Sequence, residues 1–232
     1  MIKNSPVFCA LDTADPAKAY ATALKVKNYV GGLKLGLEFY LANGAPGYRQ
    51  IDELGLPIFL DVKLHDIPNT VAGAVNSLLS LKPAFMTIHT SGGPAMMKAA
   101  AQAAAKAGNE RPRLLGVTVL TSLDENDLAA VGQVTDVNEQ VLRLARLARA
   151  NLLDGVVCAP SEVAMLRKAL GPDFVLMVPG IRPSWAASHD QKRVMTPREA
   201  MQAGATHLVV GRPITEAGDP ADAALRLNEE LS

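Results

Sequence analysis

Apolar residues in this chain fall into short runs, rich in β-branched side chains, separated by longer segments of helical periodicity. The runs are Val7 to Leu11, Gly32 to Leu37, Ile58 to Val62, Phe85 to His89, Leu114 to Leu120, Gly155 to Ala159, Phe174 to Val178 and His207 to Gly211, which makes eight strand candidates. They are too uniformly apolar to keep one face in water, a pattern typical of parallel strands covered on both sides. The segments between them carry helix punctuation. Asp15-Pro16 and Asp219-Pro220 each read as an N-cap followed by proline at the first helical position. Thr196-Pro197-Arg198-Glu199 reads as a capping box, and Gly204 closes that helix. From Thr70 to Leu81 the residues Val71, Ala74, Val75, Leu78 and Leu79 share one helical face, and Pro83 ends the segment. The alanine-rich run from Ala99 to Ala107 reads as a fourth helix.

Eight alternating strand and helix units predict a closed (β/α)8 barrel, an α/β fold of the TIM-barrel type, forming a single domain over residues 1–232. An open doubly wound sheet is the rival. Its first turn would carry a glycine-rich dinucleotide fingerprint, whereas Ala10-Leu11-Asp12-Thr13-Ala14-Asp15 contains no glycine. No low-complexity linker divides the chain.

Composition narrows the partners. Lysine plus arginine (23) balance aspartate plus glutamate (23), so no global basic field draws in nucleic acid or an anionic membrane. Aromatic residues make up 4%, which leaves few platforms for stacking bases. Any anion must therefore be bound locally. Cys9 and Cys158 sit inside apolar runs without metal-site or disulfide spacing and read as buried free thiols of a reducing compartment. The N-terminus shows no secretory apolar region, and no apolar run approaches the ~18 residues of a membrane helix. The expectation is a soluble, cytoplasmic protein with neither membrane nor nucleic-acid partners.

One segment resists explanation by folding alone. Asp61-Val62-Lys63-Leu64-His65-Asp66-Ile67-Pro68-Asn69-Thr70 follows the apolar run Pro57 to Leu60 and concentrates charge at a strand's end. Residues two apart on a strand share a face, so Asp61 and Lys63 should point together, with Asp66 where strand gives way to helix. Barrel enzymes place their chemistry at the C-terminal ends of the strands. On that reading Asp12 follows the first strand, Lys34 lies in the second, Asp61 and Lys63 end the third, Thr121 ends the fifth and Arg212 follows the eighth. An Asp/Lys pair at 4 Å is worth about 4 kcal/mol at an effective dielectric of 20, and an unpaired buried charge costs several. Lys34, Asp61, Lys63 and Asp66 could accordingly form an alternating network. The alternative is a structural network closing the barrel end, with Asp66 merely capping the next helix, and the pattern favours function over it.

Two further signals concern phosphate. Val209-Val210-Gly211-Arg212-Pro213 offers a glycine for close backbone approach and a guanidinium fork, although an ordinary turn would look the same. From Pro179 through Arg182, Trp185 and Gln191 to Arg193 runs a long connection whose polar donors suit a lid, or simply a surface loop. Four histidines without ligand spacing point to no metal site, so His89 reads as a packing or hydrogen-bonding residue, and Met96, Met97 and Trp185 as packing.

Asp61-x-Lys63-x-x-Asp66-Ile67-Pro68-Asn69-Thr70 resembles the signature of the orotidine 5′-phosphate decarboxylases. Phe8-Cys9-Ala10-Leu11-Asp12, Lys34, Val117 to Ser122, Val178 to Pro183, the Gln191 segment and Val210-Gly211-Arg212-Pro213 extend the resemblance along the whole chain. It implies a homodimeric barrel, free of metal and organic cofactor, that converts orotidine 5′-phosphate to UMP and carbon dioxide. Lys63 would give the proton to C6, Asp61 would lie beside the substrate carboxylate, and Asp12 and Lys34 would bind the ribose. Asp66 and Thr70 would belong to the neighbouring subunit's site, and Ile67 would be among the substrate-binding residues. Thr121 and the backbone near Pro179 would contact the pyrimidine, and Arg182, Gln191, Gly211 and Arg212 the phosphate. A related group of magnesium-dependent sugar-phosphate decarboxylases and aldolases shares the Asp-x-Lys-x-x-Asp strand but places an acidic residue where this chain has Lys34. A catalytically silent nucleotide-binding barrel is the remaining alternative.

Overall fold

A computed structural model describes residues 5–185 and 195–231. Eight parallel strands close into a barrel in sequence order: β1 (Val7–Ala10), β2 (Gly32–Gly36), β3 (Ile58–Leu64), β4 (Phe85–His89), β5 (Arg113–Val117), β6 (Gly155–Val157), β7 (Val175–Val178) and β8 (His207–Val210). Pairing of β1 with β8 completes the ring, with Val7 opposite Leu208 and Cys9 opposite Val210. Around it lie α1 (Pro16–Val26), α2 (Leu37–Asp52), α3 (Pro68–Leu78), α4 (Gly93–Ala105), α5 (Glu125–Ala130), α6 (Val137–Ala150), α7 (Val163–Leu170), α8 (Pro197–Ala203), the single turn α9 (Arg212–Thr215) and α10 (Pro220–Leu231). The fold is the (β/α)8 barrel expected from the alternating pattern.

The expected caps form. Asp15 accepts the N–H groups of Ala17 and Lys18 ahead of α1, and Thr196 and Glu199 close a reciprocal capping box on α8, which ends at Gly204 in a left-handed conformation. The helix expected over Thr70 to Leu81 starts earlier, at Pro68, and tightens into a 3-10 turn over Leu79–Leu81.

Several strands stop short of their apolar runs. The first ends at Ala10 rather than Leu11, the second at Gly36, the fifth at Val117 rather than Leu120, the sixth at Val157 and the eighth at Val210. Val119, Leu120 and Cys158 instead line the cavity at the barrel's mouth, so hydrophobicity there continues past the ladder. The third strand errs the other way and runs to Leu64.

Two cores result. The larger lies between strands and helices and holds outward-facing residues such as Val7, Cys9, Leu33, Leu35 and Leu60 with the helical faces. The smaller fills the barrel itself with Phe8, Ala10, Phe59, Phe85, Leu115, Val175, Met177 and Val209. Gly32, opposite Phe8 on β2, makes this second core possible, because a Cβ there would stand 2.2 Å from the Phe8 ring. Among the described residues no helix is long and apolar enough to cross a membrane.

Candidate active site

At the C-terminal mouth the barrel opens into a cavity of about 320 Å3 whose walls include Asp12, Lys34, Asp61, Lys63, Thr121, Pro179, Arg182, Gly211 and Arg212. The strand-end residues named from the sequence thus share one chamber. Its floor is Phe59, and Val117, Val157 and Val209 supply apolar wall.

Charge alternates along one side. Lys34 Nζ lies 2.7 Å from Asp12 Oδ1 and 3.9 Å from Asp61 Oδ2, and Lys63 Nζ lies 2.7 Å from the same Asp61 oxygen. Lys34 and Asp61 are almost wholly buried, whereas the Asp12 side chain is 56% exposed. Replacing a buried ion pair by well-packed apolar groups is often neutral or stabilising, so stability alone is a poor reason to keep four charges here. Asp66 was expected as the fourth member and stands outside the network. β3 extends to Leu64, and the turn beyond carries Asp66 to the surface, where its Oδ1 accepts the N–H of Ile67 at 2.6 Å. Asp12 takes the fourth place. Nor does Asp66 cap α3, whose N-cap is Ile67.

Asp61 and Lys63 do meet, but not by regular strand alternation. Against β4, Leu60 pairs with Met86 and Leu64 with Ile88, so Asp61, Val62 and Lys63 bulge opposite Thr87 alone. Lys63 has φ 47°, a left-handed conformation that costs a non-glycine residue about 1–3 kcal/mol and tends to persist where function requires it. Thr87, which the sequence reading passed over, closes the bulge with hydrogen bonds to Lys63 N and Asp61 Oδ1. Gly36 was also missed. A Cβ there would stand 2.9 Å from Lys34 Nζ and 3.1 Å from Asp12 Oδ1, so its lack of a side chain clears room for that pair. The period of two was the available signal, since Gly32, Lys34 and Gly36 share one face of β2.

On the opposite side, Arg182 is buried beneath the mouth and Arg212 is exposed at its rim. The Arg182 N–H donates to the Met195 carbonyl at 3.1 Å, which ties together the two ends of the connection between β7 and α8. Gln191 lies outside the described residues. Gly211 has a negative φ of −105°, and an added Cβ would meet only Ala10 at an ordinary 3.5 Å. Thr121 lies four residues past the end of β5, in the following loop, rather than ending the strand.

Ile67 is 66% exposed, and Asp66 and Thr70 are also exposed; none of the three lines the chain's own cavity. Burial pushes the Cys9 thiol up to about 12, with Asp12 adding to the shift, and burial likewise raises Cys158. Neither is a thiolate nucleophile at neutral pH. His89 ends β4 with its ring 5.2 Å from that of His65. Burial, then His65 and Lys63, lower its pKa, which leaves it a neutral packing residue. No group of three His, Cys, Asp or Glu side chains converges as a metal site among the described residues.

Comparison with known proteins gives the same picture over the whole chain. The family model described as orotidine 5′-phosphate decarboxylase / HUMPS family matches residues 5–227. The chain is 51% identical over 231 residues to an orotidine 5′-phosphate decarboxylase of Paramagnetospirillum magneticum, covering 98% of both. It is 50% identical to that of Rhodospirillum rubrum, covering 98% of this chain and 94% of the relative. The crystal structure of orotidine 5′-phosphate decarboxylase from Lactobacillus acidophilus superposes with a TM-score of 0.88 at 35% identity, covering 99% of this chain and all of that one. With strand-end chemistry, barrel and full-length relatives in agreement, the chain belongs to the orotidine 5′-phosphate decarboxylase / HUMPS family.

Proposed function

We propose that the chamber at the barrel's mouth is where this chain decarboxylates orotidine 5′-phosphate to UMP, with Lys63 as the proton donor. The activity itself follows from relatives about half identical over nearly the full length, all bearing that name. The observation that carries the residue roles is the alternating row Asp12, Lys34, Asp61, Lys63 beside an apolar wall.

The chemistry asks for such a row. When the bond from C6 to the carboxylate breaks, its electron pair stays in the ring plane, where no carbonyl accepts it by conjugation, and carbon dioxide departs. An ammonium fixed in place beforehand stabilises the localised charge growing at C6 more than the dispersed charge of the bound carboxylate, so it lowers the barrier. Lys63 then transfers a proton to C6 and regains one from solvent. Asp61, bonded to Lys63, holds that ammonium and sits beside the departing carboxylate; raising the ground state is a secondary effect. Asp12 and Lys34 bind the ribose hydroxyls, and Thr121 and the backbone at Pro179 the pyrimidine. Arg182, Gln191, Gly211 and Arg212 hold the phosphate, whose binding energy orients the ring far from the contact itself. Lys34 occupies the β2 position at which the magnesium-dependent relatives carry an acidic residue, which favours chemistry without a metal.

Asp66, Ile67 and Thr70 act on the neighbouring subunit's substrate in a homodimer, a reading supported by their exposure outside their own chain's cavity. Mixing Lys63→Ala and Asp66→Asn chains should restore turnover that neither has alone, because hybrid dimers regain one complete site. The buried free thiols of Cys9 and Cys158 accord with a cytoplasmic enzyme. An ultraviolet assay of orotidylate turnover by wild type and Lys63→Ala, with and without chelator, tests the whole reading. Turnover lost in the variant and indifferent to chelator supports it, chelator sensitivity favours the magnesium group, and tight UMP binding by an inert wild type favours a silent barrel.

A further inference from the structure

Thr87 sits in the middle of β4 with none of its surface exposed, and it does not line the cavity. Its hydroxyl is nonetheless bonded to both members of the Asp61 and Lys63 pair. The β3 bulge takes the Lys63 N–H out of the strand ladder, and Thr87 Oγ1 accepts it at 2.9 Å. A hydroxyl has one proton to give, and Thr87 gives it to Asp61 Oδ1 at 2.9 Å. The polarity is fixed at both ends, since an amide only donates and a carboxylate only accepts. Two consequences follow for the chamber. The backbone from which Lys63 rises is pinned at a set height above β4. One oxygen of Asp61 is also occupied, so that the other, Oδ2, faces Lys63 Nζ at 2.7 Å and Lys34 Nζ at 3.9 Å.

We propose that Thr87 is a positioning residue for decarboxylation, its hydroxyl setting the height of Lys63 and the rotation of Asp61 without touching substrate. Valine has the same shape and makes neither bond, whereas serine keeps the hydroxyl and loses only the methyl group. A misplacement of about 1 Å can cost on the order of a hundredfold in rate. Thr87→Val should therefore lower kcat by about 10- to 100-fold. Thr87 does not line the chamber and bonds Asp61 and Lys63 rather than Asp12 and Lys34, the residues proposed for the ribose, so KM and UMP affinity should stay within about threefold of wild type. Thr87→Ser should keep kcat within about threefold.

The inference rests on Asp61 and Lys63 being the reacting pair, so Lys63→Ala is measured alongside. Unimpaired turnover in Lys63→Ala removes the pair's role and the proposal with it, a failure distinct from any result at Thr87. If Thr87→Val does not fold, the Ser and Ala variants repeat the comparison, because both lack the methyl group and only one has the hydroxyl. A tenfold or greater kcat deficit of Ala against Ser supports the proposal. Three results overturn it: a hydroxyl-free variant that matches Thr87→Ser in kcat, a Thr87→Ser enzyme as impaired as the hydroxyl-free one, or a kcat loss matched by an equal loss of UMP affinity.

Discussion

At the N-terminal end of the barrel, Phe8, Phe59, Phe85 and His207 interlock edge to face with ring centroids 5.0–6.4 Å apart. One layer higher, two residues further along the same strands, Asp61 replaces Phe59 on β3 and Thr87 replaces Phe85 on β4. The aromatic layer satisfies itself, because rings need only one another and are worth more when packed at an angle. The charged layer is satisfied by pairing and still leaves Asp12 and Lys63 partly open to solvent. One strand pair therefore provides rigidity at one level and unspent electrostatic attraction at the next, and substitutions should separate the two.

The largest separation is expected from Lys63→Ala, with a loss of turnover of about a thousandfold or more and a melting temperature close to wild type, read by orotidylate assay and thermal denaturation. Phe85→Ala should do the reverse. Emptying the aromatic layer costs about 3–5 kcal/mol, which for a chain of this size lowers the melting temperature by roughly 6–20 °C, while kcat of the folded enzyme stays within about threefold.

His207 sharpens the comparison through pH. Burial, with Arg113 nearby, lowers its pKa from 6.5 to about 4. A histidine held neutral in the fold binds its proton more readily once unfolded, so its stabilising contribution is present above 6.5 and lost as pH falls toward 4. The loss approaches about 3 kcal/mol over that window. His207→Phe should flatten this part of the acid limb in denaturant titrations at stepped pH and leave turnover unchanged. The smallest effect belongs to Gly36→Ala. A methyl group crowding Lys34 and Asp12 should raise KM for orotidylate by about tenfold, with little change in melting temperature.

The barrel was legible because its strands, buried on both faces, stand out as apolar runs between capped helices. Asp61 and Lys63 were legible because charge inside such a run is costly. Thr87 was not, since threonine is an ordinary strand former and its task exists only through the register shift of the neighbouring strand. Asp66 was misplaced in the network because closeness along the chain stood in for closeness in space, and two residues of turn after Leu64 suffice to swing it outward. Strand ends at the mouth were overrun because the cavity wall is as apolar as the ladder below it.

Phe59 belongs to both layers, its ring forming the chamber's floor and packing 6.4 Å from Phe8 and 6.2 Å from Phe85 beneath. The depth available to a ligand is thus governed by one side chain. Anyone reshaping the chamber for bulkier bases would find widening and deepening to be separate problems: widening trims the valine walls, whereas deepening erodes the keystone that braces the barrel from within.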